Sequence, residues 1–140
     1  MSPSVPLKLF ASLTSRGIMK NSYALPRGAL EGFRDASSYD AYRPSYPPEA
    51  VESLLGRLKV SGEANVNLVE IGSGTGKFTE LLAARAENFN IVAVEPHAQM
   101  REQLEAKKLR GVQVVDGHAG KTPVEEEWAD ACVVAQAFHW

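Results

Sequence analysis

Cysteine is almost absent from this 140-residue chain. Cys132 is the single one, set in an apolar run with no second thiol to pair with. No internal disulfide can form, and a reduced, cytoplasmic setting is the expectation. Long apolar runs are missing too, and none approaches the ~20 residues that a helix needs to cross a bilayer. An excess of charge of either sign is absent as well, since 15 basic residues nearly balance 17 acidic ones for a net of only -2. Neither nucleic acid nor a membrane surface is therefore an expected partner. His97, His118 and His139 are too dispersed for metal-ligand spacing, so no metal is expected. There is no internal repeat and no low-complexity tract. Acids are missing from the first thirty residues, which carry Lys8, Arg16, Lys20 and Arg27 among scattered serines. That start reads as a mitochondrial or other organelle transit peptide, or as a flexible arm, which Pro3, Pro6 and Pro26 favour. Residues 1–31 form this arm, and 32–140 form the domain.

What is present becomes regular past the arm. The segment Tyr42-Arg43-Pro44-Ser45-Tyr46-Pro47-Pro48 cannot be one continuous helix, but Pro47 and Pro48 suit a helix's first turn. Val51, Leu54, Leu55 and Leu58 then make one apolar stripe, and Gly62 is expected to end it. Val66 to Ile71 is a short strand broken at once by glycines. A helix bearing Phe78, Leu81 and Leu82 follows and fades near Glu87. Ile91 to Val94 is a nearly continuous apolar run, as expected of a strand covered on both faces. A helix from about Pro96 to Leu109 turns Met100 and Leu104 inward and shows Arg101, Glu105 and Lys108 to solvent, with Gly111 as its stop. Val112 to Val115 and Asp130 to Ala135 are the third and fourth strands. Glu125-Glu126-Glu127 reads as the solvated start of another helix. Alternating strands and helices imply right-handed crossovers and an α/β, Rossmann-like parallel sheet.

Gly72, Gly74 and Gly76 open a helix directly after the first strand. A dinucleotide site places its third glycine three residues beyond the second, whereas Gly74 and Gly76 are two apart. A phosphate loop ending at Gly76-Lys77 would need glycine at position 71 and a hydroxyl at 78; the chain has Ile71 and Phe78. Glu70 argues against phosphate on charge alone, yet it would attract the ammonium of an amino-acid-bearing cofactor. S-adenosylmethionine offers an ammonium, a sulfonium and no phosphate. Glu95 ends the second strand nineteen residues past Gly76, where a carboxylate can take both ribose hydroxyls. The alternative for Glu95 is a helix-capping acid before Pro96 and His97.

Three stretches together carry a resemblance: Val69 to Gly76, Val92 to His97, and Val133-Val134-Ala135-Gln136-Ala137-Phe138-His139-Trp140. With the segment Tyr42 to Pro47, they resemble the class I S-adenosylmethionine-dependent methyltransferases of the type-11 kind. The similarity runs from about Phe33 to Trp140 and is nearest the branch with trans-aconitate methyltransferase-like proteins. It implies that Glu70, Gly72, Ser73, Gly74 and Gly76 hold the methionyl end and Glu95 the ribose. Pro96, His97 and Met100 would flank the adenine, and Gly117, His118 and Ala119 would meet its edge. His118 stands there in place of the family's short acidic or hydroxyl residue. Gln136 and His139 would face the transferred methyl as the catalytic pair, with Gln136 also against the cofactor. Tyr42, Arg43 and Trp140 would belong to the lid or the substrate wall, Arg43 as a carboxylate partner.

Methyl transfer from a sulfonium is an in-line displacement in which alignment and exclusion of water matter most. The resemblance and Arg43 together suggest a small-molecule acceptor, with a carboxylate as its class. Family members continue through three more strands, so the fold is expected to be incomplete after the fourth. Its edge would then favour self-association, and activity would be weak. A non-catalytic cofactor-binding or interaction fragment is the alternative, and a nicotinamide-dependent oxidoreductase the more distant one.

Overall fold

A computed structural model describes residues 45–135, together with Arg27, Glu31 and Ala41 as isolated positions. Tyr42, Arg43, Gln136, Phe138, His139 and Trp140, and nearly all of the arm, lie outside the described residues. Helix α1 spans Pro48–Arg57, with Pro47 as its N-cap. Proline costs nothing at that first turn, where an N–H has no partner in the helix. Val51 and Leu55 are buried, while Leu54 and Leu58 pack half-buried against the same cluster. The helix stops earlier than Gly62. Lys59 takes a left-handed φ of 58°, its N–H donates to Gly56 O at 3.1 Å, and the Val60 N–H donates to Leu55 O at 3.0 Å. That is the bonding of a glycine-type helix terminus, built here on a lysine. Burial of Val60 beside Leu55 holds it in place.

Strand β1 is Asn67–Ile71, helix α2 Lys77–Ala83, strand β2 Asn90–Val94, helix α3 Ala98–Ala106, strand β3 Val112–Val115 and strand β4 Ala131–Val133. All pairings are parallel and the order is β3-β2-β1-β4. Leu68, Ile91 and Val133 point to the face covered by α1 and α2, where they meet Leu55, Phe78 and Leu82. Fully burying a side chain such as Leu82 stabilises the fold by roughly 1.5–3 kcal/mol. Tyr46 stands edge-on to Phe78 with ring centroids 5.0 Å apart. On the opposite face Val69, Val92 and Val94 meet Val124, Trp128 and Ala129 from the β3–β4 connection. That connection contains no helix: Glu125, Glu126 and Glu127 are exposed, but they form a turn in which the Trp128 N–H donates to Glu125 O at 3.2 Å.

α3 is shorter than its apolar pattern suggests, ending at Ala106 with Lys108 left-handed. Met100 and Leu104 are buried as expected. Arg101 is not a solvated residue. Its guanidinium reaches back to donate to Glu95 O at 2.8 Å and pairs with Asp116 at 3.2 Å. Gly111 lies beyond the helix, where φ is 73° and a Cβ would come within 2.7 Å of Phe89 O. It is needed for entry into β3 rather than for stopping α3. Among the described residues no helix is long and apolar enough to cross a membrane.

Candidate functional site at the carboxyl ends of the strands

The strand order reverses between β1 and β4, and the loops after β1, β2 and β3 lie at the sheet's carboxyl edge. Open parallel sheets bind ligands outside that edge, at such a switch point. The first loop is held by short-range bonds. The N–H groups of Gly72 and Ser73 both donate to Val94 O, at 2.8 and 3.1 Å, which ties the loop to the end of β2. Ser73 is buried and its hydroxyl donates to Glu70 O at 3.2 Å. Gly76 is the N-cap of α2 with φ 92°, and a methyl group there would overlap Leu104 of α3. Glycine at 76 is thus required twice, by its conformation and by its neighbour.

Glu95 lies beside this loop and is buried. One carboxylate oxygen accepts the Gly74 N–H at 2.8 Å, and the other accepts the His97 N–H at 2.9 Å. This acid thus braces the start of α3, and its other oxygen is tied to the glycine loop. Each carboxylate oxygen has two acceptor positions. Two of the four are thus used by the backbone. Burial raises its pKa, against the lowering effect of the two backbone donors.

Glu70 lies deeper. Its side chain is on the face of β1 that α2 covers, with Ala93 and Val133 at its partner positions. Its exposure is 1%, and it accepts the Thr79 hydroxyl at 2.5 Å. Burial pushes its pKa up to about 8, the Thr79 hydrogen bond opposes the shift, and the charge of Glu95 adds to it. Thr79 belongs to none of the sequence motifs. The signal was there: a hydroxyl three residues before Leu82, on the stripe that α2 buries.

After β3, Gly117 is packed against Val94 and Pro123, and a Cβ would come within 2.9 Å of each. His118 exchanges backbone hydrogen bonds with Lys121, and its Nδ1 accepts the Gly120 N–H at 3.1 Å. Its ring thus supports its own turn. Pro96 and His97 sit at the start of α3, where Met100 Sδ comes within 3.8 Å of a Cβ built on Gly74. The structure thus gathers Glu70, the glycine loop, Glu95, His97 and the turn after β3 along one edge. Gln136, His139, Trp140, Tyr42 and Arg43 lie outside the described residues.

The donor set suits S-adenosylmethionine. Two buried carboxyls flank a glycine loop; no cation acts on Glu70 among the described residues, and Arg101, which donates to the Glu95 backbone oxygen, reaches the Glu95 carboxyl only through its charge. Glu95, and Glu70 once it has ionised, would repel a pyrophosphate and attract an ammonium or sulfonium. Among the described residues no cluster could hold a metal ion.

Comparison with known proteins agrees. The methyltransferase domain family matches residues 69–140. An uncharacterized methyltransferase of Mycobacterium tuberculosis is 38% identical over 103 residues, covering 74% of this chain and 39% of that protein. One from Schizosaccharomyces pombe is 33% identical over 106 residues, covering 76% and 41%. The chain therefore spans about two fifths of the length of these relatives. The N-terminal domain of human METTL16, solved in complex with SAH, superposes with a TM-score of 0.51 at 14% identity, covering 66% of this chain and 42% of that one, a likeness of fold. With strand order, glycine loop and family match in agreement, the chain belongs to the methyltransferase domain family, class I enzymes that depend on S-adenosylmethionine.

Proposed function

We propose that this chain forms the cofactor-binding part of an enzyme that moves a methyl group from S-adenosylmethionine to a small molecule, with a carboxylate as the acceptor class. The observation that carries the reading is the pair of buried carboxyls, Glu70 and Glu95, on either side of the loop from Gly72 to Gly76. When bound, the cofactor supplies an activated methyl on a sulfonium. The chain's part is to bind and orient. In this reading the glycine loop with Ser73 and Glu70 holds the amino-acid end, and Glu95 holds the ribose. Pro96, His97, Gly117, His118 and Ala119 border the adenine. Gln136 and His139 face the methyl, and Tyr42, Arg43 and Trp140 close the acceptor side. The carboxylate class rests on Arg43 and on the resemblance to the trans-aconitate branch. Residues 1–31 belong to the arm and 32–140 to the methyltransferase unit. Pairing between copies along β4, an edge strand among the described residues, completes the reading.

The test is incubation of the protein with methyl-labelled cofactor and a panel of carboxylic metabolites. Label in a small-molecule ester supports the reading, and label in protein or nucleic acid overturns the acceptor class. Glu95→Gln should weaken S-adenosylhomocysteine binding about 10- to 100-fold, since a hydrogen bond to a charged group is worth ~1.5–3 kcal/mol. Nicotinamide dinucleotides should not compete.

A further inference from the structure

Glu70 and Thr79 form a buried pair whose geometry is unusual for a carboxyl meant to meet a cation. Thr79 is fully buried on the inner face of α2, and Glu70 is almost as deeply placed on β1. The Thr79 hydroxyl donates to one Glu70 carboxyl oxygen at 2.5 Å, a bond that favours the ionised carboxylate and works against its burial. Ala93 and Val133 flank Glu70 in the sheet and offer no charge. The titratable neighbour that acts on it is Glu95, at the end of β2, which is of like sign. Among the described residues no lysine or arginine pairs with it. An acid so placed keeps its proton near neutral pH, in line with its raised pKa of about 8.

Resting on the cofactor reading above, we propose that Thr79 is the positioning residue for Glu70, and that engagement of the cofactor's ammonium by this pair releases one proton to solvent. The step breaks only the O–H bond of the Glu70 carboxyl. The ammonium keeps its protons, the threonine keeps its hydroxyl, and the released proton goes to buffer. The Thr79 hydroxyl reserves one carboxyl oxygen and leaves the other for the ligand. It also stabilises the ionised form that the ligand requires.

Linkage fixes the sign. A ligand that binds the ionised carboxyl must displace the proton, so affinity rises with pH while free Glu70 remains protonated. Between pH 5.5 and 7.5 the dissociation constant of S-adenosylhomocysteine, measured by titration calorimetry on the full chain, should fall by up to about tenfold per pH unit. That window stays below the ~7.7–8.0 at which an α-ammonium itself titrates. Buffers of different ionisation enthalpy should report close to one proton released per ligand. Thr79→Val should weaken binding at pH 7 and carry the steep region to higher pH, and Thr79→Ser should restore both. Glu70→Gln should bind weakly and without this slope. Wild-type binding that is flat in pH, with no proton released, overturns the linkage and leaves the cofactor reading standing. A Thr79→Val profile that coincides with wild type overturns the positioning role. Absence of binding at every pH overturns the cofactor reading, and the linkage with it.

Discussion

A carboxyl buried without a cation beside it costs the fold something whenever it ionises, and Glu70 is such a group. Its pKa, 4.5 in an exposed setting, is raised by burial to about 8 in the folded chain. Between those values the folded state holds the proton and the unfolded state has lost it. The contribution of Glu70 to stability is therefore full below about pH 4.5 and is lost as pH rises through about 8. Glu87 acts in the opposite sense, because its hydrogen bonds to Arg85 hold its pKa down to about 2. Its contribution is present above about pH 4.5 and lost on acidification toward pH 2. Glu70→Gln keeps the shape and removes one titration. Urea midpoints of wild type and variant from pH 5 to 9 should show the variant gaining on wild type as pH rises. A constant difference would mean that Glu70 is already ionised in the folded chain.

At the scale of elements, the junction between the glycine loop and α3 decides how the site is shaped. Gly76 has φ 92°, and a side chain there would overlap Leu104, which is buried on α3. Lys107, the C-cap of α3, also pairs with Glu80 of α2 at 3.2 Å, so the two helices lie side by side. Gly76→Ala should lose stability through overpacking, ~1–3 kcal/mol, and through the left-handed backbone, ~1–2 kcal/mol. In a Leu104→Ala background the overlap is gone and only the backbone cost remains. The glycine substitution should then cost about 1–3 kcal/mol less than it does alone, as read from denaturant midpoints. Strict additivity would show that the loop and α3 do not share this contact. The loop was legible in the sequence because its requirement is local: three glycines at fixed spacing, all with positive φ. The end of α1 was not, because a lysine took the left-handed position and the restraint came from Val60 packing on Leu55. Arg101 was misread for a similar reason: its helix position looks solvated, and only the approach of β3 brings Asp116 to it. Glu95 was legible as the acid that ends the second strand, but its bonds to Gly74 and His97 depend on two loops meeting.

For the whole molecule, the alternation of strands and helices announced a parallel sheet, but strand order depends on contacts far apart in sequence. The order β3-β2-β1-β4 makes β1 and β2 central, and burial follows it: every residue of β2 from Ile91 to Val94 is buried, whereas all four residues of β3 are half-buried. Among the described residues β4 lies at the other end of the sheet; it has three residues, and Cys132 is exposed. Local stability should be graded in the same way, since opening β2 exposes both apolar clusters while opening β4 breaks one ladder. Amide hydrogen exchange in the absence of ligand should therefore be slowest at Val92, Ala93 and Val94. Cys132 and Val133 should exchange faster than these by on the order of tenfold or more. Ligand should slow Gly72, Ser73, Gly74 and the start of α3 before it slows β4, because those groups border the proposed cofactor. Should β4 be as protected as β2 in a monomeric sample, its outer edge must be covered by chain outside the described residues. If that protection instead grows with protein concentration, β4 is the seam along which two copies pair.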